Sequence, residues 1–245
     1  MRGEELDELF VSYAGVYGDR LFAFHSTGAH KGFPFLTGRE QRHMIQYRPR
    51  FRNPEKAARP INFDDALKLS PNINPVSASA DDLMVDVETP DGNIMPIDSP
   101  RLIDHLLQGV EEKHKLRLHR SEKAMTDCSP LSIISLQTVE KLSEESGLSV
   151  DKRRFRANVY LDLHALGGFA ENDFVGKSFR IGSKAIAQAV NRDGRCMMIM
   201  LDPDTAEKSP AVLKAVAQEH EGMAGIYAAI LVEGIIRKGD PVELI

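Results

Sequence analysis

Apolar residues fall along the chain in short clusters rather than long stripes, and the spacing within each cluster predicts its element. Glu8–Ala14 and Leu21–Phe24 are rich in Val, Tyr and Phe and read as two strands parted by a glycine-bearing turn over Gly15–Arg20. A second hairpin is predicted over Leu83–Glu88 and Asn93–Ile97, with Pro90-Asp91-Gly92 as its turn. Ser99-Pro100 opens a helix whose Leu102, Ile103, Leu106 and Leu107 share one face and whose stop lies near Gly109; it is expected to bridge two subdomains. Ser135 opens a second helix, with Leu136, Val139 and Leu142 on its apolar stripe and Gly147 as its end. Ser209-Pro210 opens a third, carrying Val212, Leu213 and Val216 and closing near Gly222. Further strands are predicted over Asn158–Leu163, Ser178–Ile181, Met197–Leu201, Ile226–Val232 and Val242–Ile245. Residues 48–82 hold Pro49, Pro54, Pro60, Pro71 and Pro75 among polar positions, a density of chain breakers that predicts a long surface excursion.

Strands and helices mix without regular alternation, which argues against a doubly wound parallel sheet. The pattern predicts a mainly β protein with a few helices, of the α+β class. Its larger part, residues 99–245, is expected to be barrel-like, preceded by a smaller all-β subdomain over 1–98. With 245 residues, 42% of them hydrophobic, the chain has ample material for a core. Its 31 Lys+Arg against 36 Asp+Glu give a net charge of −5, which argues against coating nucleic acid or an anionic membrane and leaves room for a local basic pocket. No apolar run approaches the ~20 residues that span a bilayer, and the acidic start does not open a signal peptide, so a cytoplasmic location is expected.

Two basic segments mark strand ends. Arg153-Arg154-Phe155-Arg156-Ala157-Asn158 precedes one strand and Arg192-Asp193-Gly194-Arg195-Cys196 precedes another. Guanidinium groups offer planar forks of donors that suit phosphate, and Gly194 would admit close backbone approach to a ligand. Spacing alone favours ordinary surface ion pairs. Cys128 and Cys196 are too few for a disulfide framework or an all-cysteine zinc site. Arginine beside Cys196 would help hold a thiolate, yet the apolar run that follows fits a small buried hydrophobe as well. Asp127 and Ser129 flank Cys128 in a turn where capping is their commoner use, and Asp202-Pro203-Asp204-Thr205 reads as a turn. No Walker loop, dinucleotide fingerprint, nucleophile elbow or zinc-protease motif occurs.

The order of the motifs carries more than any one of them. Gly18-Asp19-Arg20, Thr37-Gly38-Arg39-Glu40, Asp127-Cys128-Ser129-Pro130, Phe155-Arg156-Ala157-Asn158, Gly194-Arg195-Cys196, Asp202-Pro203-Asp204-Thr205 and Gly239-Asp240-Pro241-Val242 together resemble a MOSC-domain protein. The branch resembled is the one with an N-terminal β-barrel subdomain, which includes the mitochondrial amidoxime-reducing component and its bacterial relatives. The resemblance implies a molybdenum cofactor, with Cys196 as the protein ligand to Mo and as the catalytic residue. It further implies that Arg20, Arg156 and Arg195, and more weakly Arg39, hold pterin and phosphate, while Asp127, Ser129 and Asn158 hydrogen-bond the pterin edge. The activity implied is reduction of a small N-oxygenated substrate such as an N-hydroxylated base. Relatives carry a Pro-x-Lys-Ser segment before the position of Met1; without it, the Glu8–Ala14 strand is expected to leave a sheet edge uncovered and the cofactor to be held less completely. Some relatives continue into a ferredoxin-like domain, so electrons are expected from a separate donor of ferredoxin or flavoprotein type. A sulfur or cofactor carrier that uses Cys196 as a persulfide or Mo ligand, without turnover, is the alternative implied by the same cysteine.

Overall fold

The computed structural model describes residues 1–30, 32–57, 59–68, 79, 81–164 and 166–245, and its elements mix helix and strand in an α+β arrangement. β1 (Glu8–Ser12) turns through Tyr13-Ala14 into β2 (Gly15–Val16), so Gly15 and Val16 extend a hairpin where the sequence predicts a turn. β3 (Phe22–Ser26) follows, then β4 (Arg48–Phe51), α1 (Pro54–Ala57) and α2 (Phe63–Lys68). Three regular elements thus interrupt the described part of the proline-rich stretch, and β4 finds a partner in β5 (Val85–Glu88). Pro71 and Pro75 lie outside the described residues. β6 (Ile94–Pro96) closes the predicted hairpin against β5, with Gly92 at φ 85° in its turn.

α3 (Pro100–Leu107) starts at its proline as predicted, and its stripe decides its place: Leu102 and Leu106 are fully buried in a cluster with Phe24, Met44, Tyr47, Val87 and Ile97. β7 (Leu116–Arg120) pairs antiparallel with β3, turning Leu116 and Leu118 toward that same cluster. α3 thus packs into a cluster built by strands on both sides of it in sequence, β3 and β5 before it and β7 after it.

β8 (Leu131–Ser135) runs into α4 (Leu136–Ser146). Ser135 caps this helix by accepting from the Thr138 N–H at 3.0 Å, and Gly147 ends it in left-handed backbone at φ 67°. β9 (Val159–Leu161), β10 (Ser178–Ile181), β11 (Ala185–Gly194), α5 (Pro210–Glu219), β12 (Met223–Val232), β13 (Gly234–Arg237) and β14 (Val242–Leu244) complete the chain. A six-stranded sheet in the order β14-β10-β11-β12-β8-β9 curls into a half-barrel around Leu131, Ile133, Phe179, Ala187, Ile226 and Ala228. α4 and α5 cover its other face through Leu142, Val212 and Val216.

Two expectations are corrected here. Met197–Met200 is a 3-10 turn, not a strand, and buries only Ile199; a four-residue apolar run does not by itself separate the two. The bare edge expected along the Glu8–Ala14 strand is present only in part, since β1 pairs with β13 from Glu8↔Arg237 to Val11↔Gly234, while on its other side β2 meets Val11 and Ser12.

Candidate functional site

β11 and β12 fall out of register between Ala189 and Asn191 and again between Arg192 and Gly194. These bulges re-aim the end of β11, burying the Asp193 side chain and setting Arg195 and Cys196 at the sheet's rim. Arg195 is held by three partners. Its Nε donates to the Ala224 carbonyl at 2.6 Å, its Nη1 to the Phe155 carbonyl at 2.9 Å, and its Nη2 lies 2.9 Å from an Asp193 carboxylate oxygen. Gly225, at φ 82°, admits this arrangement: a Cβ there would sit 2.5 Å from the Ile133 carbonyl and 3.0 Å from Arg195 Nη2. Burial pushes the Asp193 carboxyl up and the Arg195 guanidinium down, so desolvation outweighs their mutual attraction at both ends of the pair. Tyr227 donates its hydroxyl to Asp193, and burial followed by that carboxylate raises its pKa.

The second basic segment divides its labour. Arg154, buried, donates to the Met200 carbonyl at 2.9 Å and to Asp202 at 3.0 Å. Arg153 pairs with Asp151 at 2.6 Å and with Asp204, which Arg2 also meets at 2.7 Å. Asp202 further accepts the N–H groups of Asp204 and Thr205, both at 3.0 Å. The Asp-Pro-Asp-Thr turn is thus a clamp that ties the 3-10 turn Lys152–Phe155 to the one after Cys196. Arg192 pairs with Glu221. Surface ion pairing, the reading that spacing favours, describes Arg153 and Arg192 and not Arg156 or Arg195.

Arg156 follows the clamp in left-handed backbone, φ 54°, and Arg20 holds φ 50°. Neither is glycine, and such backbone costs an arginine about 1–2 kcal/mol. For Arg20 the conformation is fixed by its neighbours: its carbonyl accepts from the Met125 N–H at 3.1 Å, and the Asp19 N–H donates to Val16. Desolvation of the Arg156 guanidinium, and after it the charge of nearby Arg20, lowers the Arg156 pKa. Arg156 Nη1 donates to the Met1 carbonyl at 2.8 Å, while Arg20 has Asp19 at 3.5 Å. One carboxylate therefore faces two cations.

Asn158 braces this corner. Its side-chain oxygen accepts from the Ser132 N–H and hydroxyl at 3.0 and 3.1 Å, and its amide donates to Asp19 at 3.2 Å. Asp127, exposed, lies within electrostatic reach of Asp193 and Tyr227, and Cys128 within reach of Tyr227. Cys196 is an exposed free thiol whose charge would be felt by Arg195. Ser129 sits partly buried in the bend before β8. Arg39, exposed, lines a cavity of about 380 Å³ with His30, Glu40, Lys113 and His114, and Gly38 before it packs against Met198, two residues past Cys196. The structure thus gathers Arg20, Arg156, Arg195, Asp127 and Cys196 around one rim, with Asn158 behind them, and adds Asp19, Asp193, Tyr160 and Tyr227. Asp193 had a signal in the sequence, an acid enclosed by Arg192 and Arg195; Tyr160 and Tyr227 sit in strand-like runs that give none.

A family model for the MOSC domain matches residues 120–243, just over half of the chain. The chain belongs to the MOSC-domain family. MOSC domains in general are related to the C-terminal part of molybdenum-cofactor sulfurases and are associated with binding that cofactor. Among solved structures this MOSC protein is similar to YuaD from Bacillus subtilis, with 18% identity over 51% of this chain and 68% of that one and a TM-score of 0.39. It is similar to YiiM from Geobacillus stearothermophilus, with 21% identity over 53% and 67% and a TM-score of 0.38. It is also similar to YiiM from Escherichia coli, with 19% identity over 51% and 57% and a TM-score of 0.35. No curated protein matches. Among the described residues no helix is long and apolar enough to cross a membrane.

Proposed function

We propose that this MOSC protein binds a molybdenum cofactor at the Arg20–Arg156–Cys196 rim and reduces small N-oxygenated substrates, as the resemblance to the amidoxime-reducing branch implies. The observation that carries the reading is the Arg20–Arg156 pair. Two strained arginines both face the Asp19 carboxylate, and a phosphate brought between them would relieve their repulsion through charge-assisted hydrogen bonds. The residues fit such a group at both ends. Cations with donors to spare meet the anion, and an exposed thiol of the soft kind that molybdenum accepts stands beside Arg195.

When bound, the cofactor would supply a metal that changes oxidation state and takes up the substrate oxygen. The chain's own residues do the positioning. Arg195 donates to the Ala224 and Phe155 carbonyls and pairs in charge with Asp193, which fixes the strand end that carries Cys196, while its buried Nη2 keeps no hydrogen-bond partner among the described residues. Asn158, with both ends of its amide engaged, holds Asp19 and through it Arg20. Turning an N–OH into N–H and water consumes electrons from a separate protein donor, and the protons come from solvent at the open rim.

The test is turnover. Protein made in a host with intact cofactor synthesis should reduce an amidoxime when driven by reduced viologen, and Cys196→Ala should not. Full activity in Cys196→Ala would overturn the assignment. The exposure of Cys196 also suits a sulfur carrier. A persulfide on Cys196 in protein that retains no molybdenum through gel filtration would favour that second reading.

A further inference from the structure

The β3–β7 ribbon leaves the site directly. β3 begins two residues after Arg20, and β7 runs through Ser121, whose N–H donates to the Leu21 carbonyl, toward Asp127. One face of the ribbon is committed: Phe22, Phe24, Leu116 and Leu118 pack into the core. Alternation therefore sets Ala23, His25, Lys115, Arg117 and His119 on the other face, and all but Ala23 are exposed. None of the five is acidic. Neither Lys115 nor Arg117 has an ion pair among the described residues, although most arginines of this chain do. Beside this face the Phe35 backbone bridges to His25, and its ring lies 6.4 Å from the His25 ring, 5.6 Å from His119 and 5.8 Å from Phe33. Phe33 is 39% exposed.

An unpaired basic face edged by exposed aromatic rings, on a chain of net charge −5, is a local inversion of sign. Such a face attracts a partner whose surface is acidic, and the aromatic edge supplies the apolar contact that charge alone does not. A nucleic acid would be repelled by the rest of the molecule and would need a longer basic track.

We propose that the β3–β7 ribbon is the docking surface for a small acidic electron-carrying protein. The proposal rests on the molybdenum reading of the neighbouring site and names the surface through which that site is reduced. The near end of the ribbon, Ala23 opposite His119, lies three residues beyond Arg20, at most about 10 Å of chain, and Arg117, opposite His25, lies five residues beyond it, at most about 17 Å, so a carrier covering the ribbon reaches from these cations toward the rim.

The test uses an acidic [2Fe–2S] ferredoxin as the probe, with Lys115→Glu/Arg117→Glu as the variant. In calorimetry at about 50 mM salt the variant should bind the ferredoxin at least tenfold more weakly, and the gap should shrink as salt rises. Turnover driven by reduced ferredoxin should fall by a similar factor, while turnover driven by reduced viologen should not change. If the protein holds no molybdenum, both turnover assays are silent and the molybdenum reading fails, but the binding measurement still decides the surface. Equal ferredoxin affinity in wild type and variant would overturn the proposal, as would tighter binding of a single-stranded oligonucleotide than of ferredoxin at the same salt.

Discussion

Arg20 and Arg156 share the left-handed backbone that arginine disfavours and stand within range of each other's charge. Fold stability alone gains nothing from this. Glycine would hold the same φ without strain, and distance between the charges would remove their repulsion.

It follows that Arg20→Gly/Arg156→Gly should trade binding for stability. Relief of backbone strain, less the greater freedom of glycine in the unfolded chain, should leave the variant equal to wild type or more stable by up to about 1 kcal/mol. Pyrophosphate should raise the melting temperature of the wild type and leave that of the variant unchanged. An equal pyrophosphate shift in both would show that the anion sits elsewhere.

Gly225 is the position that lets Arg195 reach its partners. Gly225→Ala should cost about 1–3 kcal/mol for a Cβ on positive-φ backbone, with more from the contact at the Ile133 carbonyl. Chemical denaturation checks this, and a midpoint matching wild type would remove Gly225 from the account.

The clamp around the Asp-Pro-Asp-Thr turn should set the acid limit of the fold. Arg153, opposed by burial, holds Asp151 and Asp204 below the usual carboxylate range. At Asp202 burial works upward, but the N–H groups of Thr205 and Asp204 and the Arg154 charge bring it below that range. Depressed carboxylates contribute stability above their unfolded pKa, about 4, and lose it as pH falls through the folded values. Asp202→Asn should therefore be less stable than wild type at pH 7, with the difference closing below about pH 4. Asp202→Ala leaves the buried Arg154 without its carboxylate and should cost about 3 kcal/mol at neutral pH. A pH-independent gap between Asp202→Asn and wild type would contradict the ion-pair account.

Much of the fold was legible because single residues mark its joints. Ser135 and Gly147 bound α4, Pro100 opens α3, and Gly92 turns the β5–β6 hairpin. The strands β8 and β11 were not legible: Leu131–Ser135 is buried throughout and lacks the alternation that signals a half-buried strand, while β11 alternates but turns alanines inward and Ile186 and Val190 outward, so its hydrophobic pattern hides the face. Motif order singled out the arginines and Cys196 that the fold brings to one rim, but not how the arginines divide their work. Arg153, Arg154 and Arg156 look alike in sequence. Their partners, Asp151 and the more distant Asp204 for Arg153, Asp202 for Arg154 and the Met1 carbonyl for Arg156, are what separate the clamp from Arg156.

The two cysteines should behave unequally. Cys196→Ala should lower bound molybdenum severalfold, whereas Cys128→Ala, exposed in the bend before β8, should keep most of it. Elemental analysis of the purified variants reads this directly, and matched losses in both would remove the distinction.

The measurement closest to the central claim is the molybdenum and pterin content of protein from a host with intact cofactor synthesis, wild type against Arg20→Gly/Arg156→Gly. Molybdenum by elemental analysis and pterin by oxidised fluorescence should appear together in the wild type and fall at least tenfold in the variant, with its melting temperature maintained. Wild-type protein carrying neither, or a variant that keeps both at wild-type levels, would contradict the account.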